Sequence, residues 1–286
     1  VKFRFAVGSA ALAAVLTGTV AGCGNAQQPA PAPALTVGSA ATNESKLLAH
    51  LYAAALGYFG ISTRVQQVPD PVAALDSADV TVVPGLTGQL LTRFVPHATA
   101  RADEQVYRSM ISALPEGVAA ADYTASAQDK PAAAVTEATA TAWGARDVAV
   151  LPMQCHGASV GVVTGAAHPK RVGDCVLPSA REFPDTASLF AALKAGVVTL
   201  AWTSTIAPAA PAGAVVLTDR TALIRAENVV PLYRRNVLAE QQVLALNGIA
   251  GELDTATLTD MLGQVDKGAD PAAVAGAWLS QHPLDH

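Results

Sequence analysis

The sequence predicts an α/β protein built as two lobes and finished by a helical C-terminal segment. Three observations carry this. Between Leu35 and Phe94, short apolar or β-branched runs alternate with stretches of helical spacing, the pattern of a largely parallel sheet covered by helices. The same alternation returns between Ala132 and Leu217, after a break at Pro115-Glu116-Gly117. From Leu238 to Ser280, apolar residues recur at a spacing near 3.6.

Taken in order, Leu35-Thr36-Val37 suits a strand edge, Gly38 and Ser39 break it, and Thr42 or Asn43 can cap a helix beginning at Glu44. Leu47, Leu51, Ala55 and Tyr58 then give one apolar stripe to pack on a sheet. Glu44 complements the positive end of the helix dipole. The loop from Ser39 to Asn43 thus lies at a strand's carboxyl end beside a helix N-terminus, a place suited to a small polar or anionic ligand. An ordinary strand–helix turn without a ligand is the alternative. Ile61 to Val65 alternates as a strand, Pro71 to Ala78 can form a short helix, and Asp79 to Val83 is a second β-branched strand. It runs into Pro84-Gly85-Leu86-Thr87-Gly88 and then into the helical Gln89 to Phe94. The turns after Val37 and Val83 should share one sheet edge, where open α/β sheets bind ligands.

Arg101 to Leu114 reads as a helix with Val106, Met110 and Leu114 on one face. Ala132 to Val135 suits a strand, followed by a helix from Glu137 to Trp143 that Thr136 can cap. Ser159 to Thr164, Val197 to Trp202 and Val215 to Leu217 are further strand-like runs. A helix from Thr186 to Ala195, capped by Asp185, joins the first two of them. Leu238 to Ile249, Thr255 to Val265 and Pro271 to Ser280 are helical, the last opened by Asp270 as cap and Pro271 at the first position. The first lobe is expected at about 35–115 plus about 215–286, and the second at about 116–214.

Ahead of the folded part, Lys2 and Arg4 precede an apolar stretch from Ala6 to Val20, too short for a confident membrane span. It ends in Val20-Ala21-Gly22-Cys23, which resembles a bacterial lipobox. That resemblance implies cleavage of a signal peptide (1–22) and a diacylglycerol on Cys23 that holds the chain on a membrane surface. A plain secretory signal is the alternative. Residues 23–34 are a Pro/Ala tether of extended geometry, with no apolar face to bury. Two of the 18 basic residues lie in the leader, so 16 face 23 acidic ones in the remainder, a formal charge of −7. That balance argues against nucleic acid or acidic lipid as a partner. Cys155 and Cys175 can close a disulfide in an oxidising compartment, and two free buried thiols are the alternative.

The chain resembles the substrate-binding proteins of ABC transporters for glycine betaine, carnitine, choline and related osmoprotectants. The resemblance lies in Gly38-Ser39, Asn43-Glu44-Ser45 and Tyr52-Ala53, and in Leu75-Asp76-Ser77 through Pro84-Gly85-Leu86-Thr87-Gly88. Leu114-Pro115-Glu116-Gly117, Ala127-Gln128-Asp129-Lys130 and the closing stretch from Leu246-Asn247 to Ala277-Trp278-Leu279 extend it across most of the chain. It implies a periplasmic-binding-protein-like clamshell (type II-like) that closes over a small solute and presents it to a membrane permease. It also implies a monomer that performs no catalysis and needs no cofactor. Such proteins hold quaternary ammonium groups on aromatic faces and carboxylates on Ser, Thr or backbone N–H groups. Ser39 and Thr87 match the family's polar positions and, with Asn43, are expected ligand contacts; Tyr123, Trp202 and Tyr233 are the aromatic candidates, with a core or surface role as the alternative for each. The family's P-E-Y-T-G has become Pro84-Gly85-Leu86-Thr87-Gly88, which removes a tyrosine and its acidic neighbour. Only 5% of the chain is aromatic, too little to assemble a full cage easily.

Other chemistry is weakly marked. Gly157-Ala158-Ser159-Val160-Gly161 fits the G-x-S-x-G of hydrolases, but a strand should precede that motif and a helix follow it, whereas Val162-Val163-Thr164 reads as strand. Cys155-His156 are neighbours that point apart in an extended chain, and His156 and His168 lack metal-ligand spacing. The expectation is therefore a membrane-anchored solute-binding component of an ABC importer, facing outward and taking a small polar or zwitterionic, glycine betaine-like solute. A clamshell lipoprotein with a drifted cleft, serving as a cell-envelope interaction module, is the alternative.

Overall fold

The computed structural model describes residues 34–284; the expected signal peptide, the expected lipid attachment at Cys23 and all of the tether but Ala34 lie outside them. The chain opens with β1 (Leu35–Ser39), α1 (Asn43–Tyr58), β2 (Thr63–Gln67), α2 (Pro71–Asp76), β3 (Val82–Leu86), α3 (Thr87–Phe94), α4 (Asp103–Ile111) and β4 (Val118–Ala120). It then builds β5 (Pro131–Thr136), α5 (Glu137–Trp143), α6 (Leu151–Gln154), β6 (Val160–Val163), β7 (Arg171–Val172) and β8 (Cys175–Val176). β9 (Arg181–Phe183), α7 (Thr186–Lys194), β10 (Leu200–Ser204) and β11 (Ala214–Val216) follow. β12 (Val229–Arg234) returns to the first sheet and leads into α8 (Glu240–Glu252), α9 (Thr255–Asp266) and α10 (Pro271–Gln281).

Two five-stranded sheets result, in the orders β2-β1-β3-β12-β4 and β11-β5-β10-β6-β9. Each is mixed rather than mostly parallel: β2-β1-β3 and β10-β6-β9 run parallel, while β12 and β5 pair antiparallel with both of their neighbours. β12 and β5 are the strands next to the crossovers, so a chain arriving from the other lobe enters its sheet in the opposite sense. The lobes exchange later than the sequence suggests. β4, expected at the start of the second lobe, pairs with β12 in the first sheet, and β11, expected at the return to the first lobe, pairs with β5 in the second. Three-residue strands carry too little apolar pattern to reveal which sheet they join.

Local signals fix the helix starts. Thr42 caps α1, Thr136 caps α5, Asp185 caps α7, and Asp270 with Pro271 opens α10. α1 packs on β1, β2 and β3 and also on α8, α9 and α10, so its buried surface is far wider than one stripe. Leu48, Ala49, Tyr52 and Leu56 are buried along with Leu47, Leu51 and Ala55. Tyr58, expected on the stripe, is 46% exposed at the helix's last residue, where its ring meets Phe59 edge-on. β3 begins three residues later than its β-branched run and includes Pro84, which lies in register with Pro231 of β12. The two missing N–H groups thus fall at one rung of the ladder.

In the second lobe, a disulfide joins Cys155, just after α6, to Cys175 of β8, with Cα atoms 5.7 Å apart. Closing a loop of that length contributes about 3 kcal/mol by chain entropy. Ser159 lies between a 3₁₀ turn at Cys155–Gly157 and β6, the reverse of the strand-then-helix order a hydrolase elbow requires. Its N–H donates to Thr199 Oγ1 at 2.9 Å and its Oγ accepts from the Thr199 N–H at 3.0 Å, so its polar groups serve the start of β10. Among the described residues no helix is long and apolar enough to cross a membrane.

Candidate functional site

The two crossovers lie side by side. Gln128 bridges to Asn228, Asp129 N–H donates to Glu227 O at 2.9 Å, and Val229 N–H donates to Ala127 O at 3.1 Å. α3 is fastened to the same junction: Thr87 N–H donates to Asn228 O at 2.9 Å, and Asn228 N–H donates to Thr87 Oγ1 at 3.0 Å. The Asn228 side-chain amide also donates to Thr124 O at 3.1 Å. The start of α3 is therefore held rigidly where the lobes join.

Two neighbouring cavities flank this point and share Gln89, which is exposed. The first, about 490 Å³, is lined by Ala40 and Thr42 from the turn after β1, Glu44 at the start of α1, Pro84 and Leu86 of β3, and Gln89 of α3. The turns after Val37 and Val83 thus border one hollow. The second, about 450 Å³, lies between the lobes. Gln89 and Glu227 of the first lobe face Val163, Ala166, Thr186 and Trp202 of the second across it, with Asp129 at the crossover.

Three carboxylates dominate the electrostatics. Burial pushes Glu44 up to about 8, helped by the negative charges of Asp129 and Glu227. Burial also pushes Glu227 up to about 7, against the opposing pull of the Gln89 N–H and the Arg225 guanidinium. Asp129 is raised by burial, with its hydrogen bond from Ser204 working the other way. Glu44 Oε1 is buried without a hydrogen-bond partner. Three of the surrounding cations are engaged elsewhere. Arg93, which lines the first cavity, donates to Asp70 Oδ2 at 2.8 Å. Arg225 donates to Ala100 O at 3.0 Å, to Thr92 Oγ1 at 2.6 Å and to Ala98 O. Lys130 Nζ pairs with Asp219 Oδ2 at 3.1 Å, their side chains only 14% and 6% exposed.

Glu227 sits at the amino end of α3, where Gln89 N–H donates to its Oε2 at 2.7 Å. The first N–H groups of a helix have no partner within the helix, so a carboxylate there is stabilised by both hydrogen bond and dipole. Gly88 makes the approach possible, because a Cβ at that position would come within 2.5 Å of both Glu227 Oε1 and Ala226 O.

Of the six ligand contacts expected from sequence, Trp202 alone lines either cavity, and it is 1% exposed with its indole N–H unpartnered. Ser39 is 1% exposed and lines neither hollow. Asn43 turns away and donates to Asp266 Oδ1 of α9 at 2.8 Å. Thr87 is wholly buried and spends its hydroxyl on Asn228. Tyr123 packs against Tyr107, with ring centroids 4.7 Å apart. Tyr233 pairs with Val82 at the entering end of β3, opposite the Leu86 end that borders the cleft. The sequence does not single out Gln89, Asp129 or Glu227, and it marks Glu44 only as a partner of the helix dipole.

Comparison with known proteins agrees with this architecture. Residues 178–281 match the family model described as the substrate binding domain of the ABC-type glycine betaine transport system. A glycine betaine/carnitine/choline ABC transporter crystal structure superposes with a TM-score of 0.70 at 16% identity, covering 87% of this chain and 98% of that one. Apo YehZ from Escherichia coli superposes with a TM-score of 0.66 at 18% identity, covering 89% of this chain and 100% of that one. An ABC-transporter choline binding protein in complex with choline gives 0.54 at 16% identity, covering 87% and 89%. No curated protein sequence matches the chain. The described residues thus have the α/β, two-lobed fold of periplasmic binding proteins, and the stretch from just before β9 into α10 resembles the glycine betaine family in sequence as well.

Proposed function

We propose that the chain is the solute-binding component of an ABC importer for small solutes of osmoprotectant type, and that it binds rather than transforms its solute. The observation that carries this reading is the cleft: two lobes joined by adjacent crossovers, with the turns after β1 and β3 bordering a hollow beside the junction. Two-lobed proteins of this kind close about such a junction and enclose a ligand at the lobe interface. Support in sequence comes from the match of residues 178–281 to the glycine betaine family. A lipid on Cys23 would hold the protein on the outer face of the membrane, within reach of its permease.

The test is capture of the full-length protein from cross-linked membranes. An ABC permease subunit is the expected partner, recovered in greater amount when osmoprotectant solute is added. Recovery of other envelope proteins with no permease would overturn the importer reading.

A further inference from the structure

We propose that the cleft selects an organic cation that carries N–H donors and no carboxylate, because Glu227 already occupies the anion seat at the amino end of α3. The proposal rests on the solute-binding reading above and narrows its solute. A helix start beside the junction of two lobes is where a solute carboxylate would settle, on unpaired backbone N–H groups. Here the protein's own carboxylate fills that place, bonded to Gln89 N–H at 2.7 Å, and Gly88 leaves the space for it. A zwitterion's carboxylate would have to displace Glu227 and approach Asp129 and Glu44 as well.

A separate observation points to what the cleft does accept. Glu44 Oε1 is buried in the wall of the first cavity and has no partner, within electrostatic reach of Asp129 and Glu227. An ionised carboxylate is stable in a buried site only when paired and hydrogen-bonded, and an unpaired one keeps its proton, as Glu44 does below about pH 8. Three of the surrounding cations are engaged elsewhere: Arg93, which lines the first cavity, on Asp70, Arg225 on Ala98, Ala100 and Thr92, and Lys130 on Asp219. A positively charged solute would complete the cluster.

Two features narrow the cation. A quaternary ammonium has no N–H to give Glu44, and aromatic faces are its usual support. Trp202 is the one aromatic residue lining the two cavities, and it is 1% exposed. An ammonium or guanidinium instead supplies several donors to several carboxylates at once. Among the described residues no three acidic, His or Cys side chains converge closely enough to hold a metal ion.

Isothermal titration of the full chain with ethanolamine, agmatine, choline and glycine betaine tests this. Either N–H cation is expected to bind at least 10-fold more tightly than choline and at least 100-fold more tightly than glycine betaine. Glu227→Ala, which vacates the seat, should improve glycine betaine binding at least 10-fold. Glu44→Gln, which leaves the seat filled, should weaken the N–H cation at least 10-fold and improve glycine betaine binding less than Glu227→Ala does. Choline or glycine betaine as the tightest ligand of the unaltered protein would overturn the inference and leave the solute-binding reading standing. No binding of any of the four would overturn both.

Discussion

Raising the pH from 5 to 8.5 is expected to lower the melting temperature of the solute-free protein by roughly 5–10 °C. Glu44 and Glu227 drive this, because burial holds their folded-state values at about 8 and about 7, well above the ordinary 4.5. Between pH 4.5 and 8 the folded protein therefore binds more protons than the unfolded chain. Their contribution is fully present below pH 4.5 and is lost as the pH rises first through about 7 and then through about 8. A carboxyl that ionises one pH unit higher in the folded protein than in the unfolded chain changes stability by about 1.4 kcal/mol. Mutual repulsion with Asp129 makes the two losses reinforce one another. Half-buried His50, lowered by burial, acts in the opposite sense below about pH 6.5. Asp70, Asp147, Asp185 and Asp254, all lowered, act only at more acid pH. Calorimetric melts of the unaltered protein and of Glu44→Gln separate these effects: the variant should be flatter between pH 6 and 8.5. Parallel curves would show that Glu44 ionises normally in the folded state.

Replacing Asp219 with alanine is expected to cost roughly 3–5 kcal/mol of stability, read as a lower urea midpoint. Asp219 is the partner of Lys130, whose side chain is 14% exposed, and it also accepts the N–H groups of Leu223 and Ile224 at 2.8 and 3.0 Å. Removing it strands an ammonium and two backbone donors together, beside the crossovers that support the cleft. Asp219→Asn keeps an acceptor and should lose less. Lys130→Met combined with Asp219→Leu removes both charges and should recover a substantial part of the loss. An Asp219→Ala midpoint within experimental error of the unaltered protein would mean that the pair is solvated and contributes little.

What the sequence made legible was local. Thr136, Asp185 and Asp270 announce their helices because a cap acts within three residues of itself, and strand–helix alternation announces the layers of each lobe. The lobe exchanges were less visible, because β4 and β11 are each three residues long. The site was least visible. Glu227 reaches Gln89 across 138 positions of sequence, and nothing around Ala226-Glu227-Asn228 signals a helix that arrives from so far away. Tyr123 and Tyr233 stand out in the sequence as aromatics, yet one packs at a tilt against Tyr107 and the other lies at the end of β12 away from the cleft. Thr87 lies buried at the junction, where its hydroxyl fastens α3 to Asn228.

If a solute is held at the crossovers, the two lobes should close over it. The distance between spin labels at Pro96→Cys and Lys170→Cys measures this directly, since both residues are exposed and line a further interlobe cavity from opposite lobes. Saturation with the tightest-binding of the four probes should shorten the mean distance by more than about 2 Å and narrow its distribution. An unchanged distribution at a concentration where titration shows the protein fully occupied would contradict closure of the lobes over a bound solute.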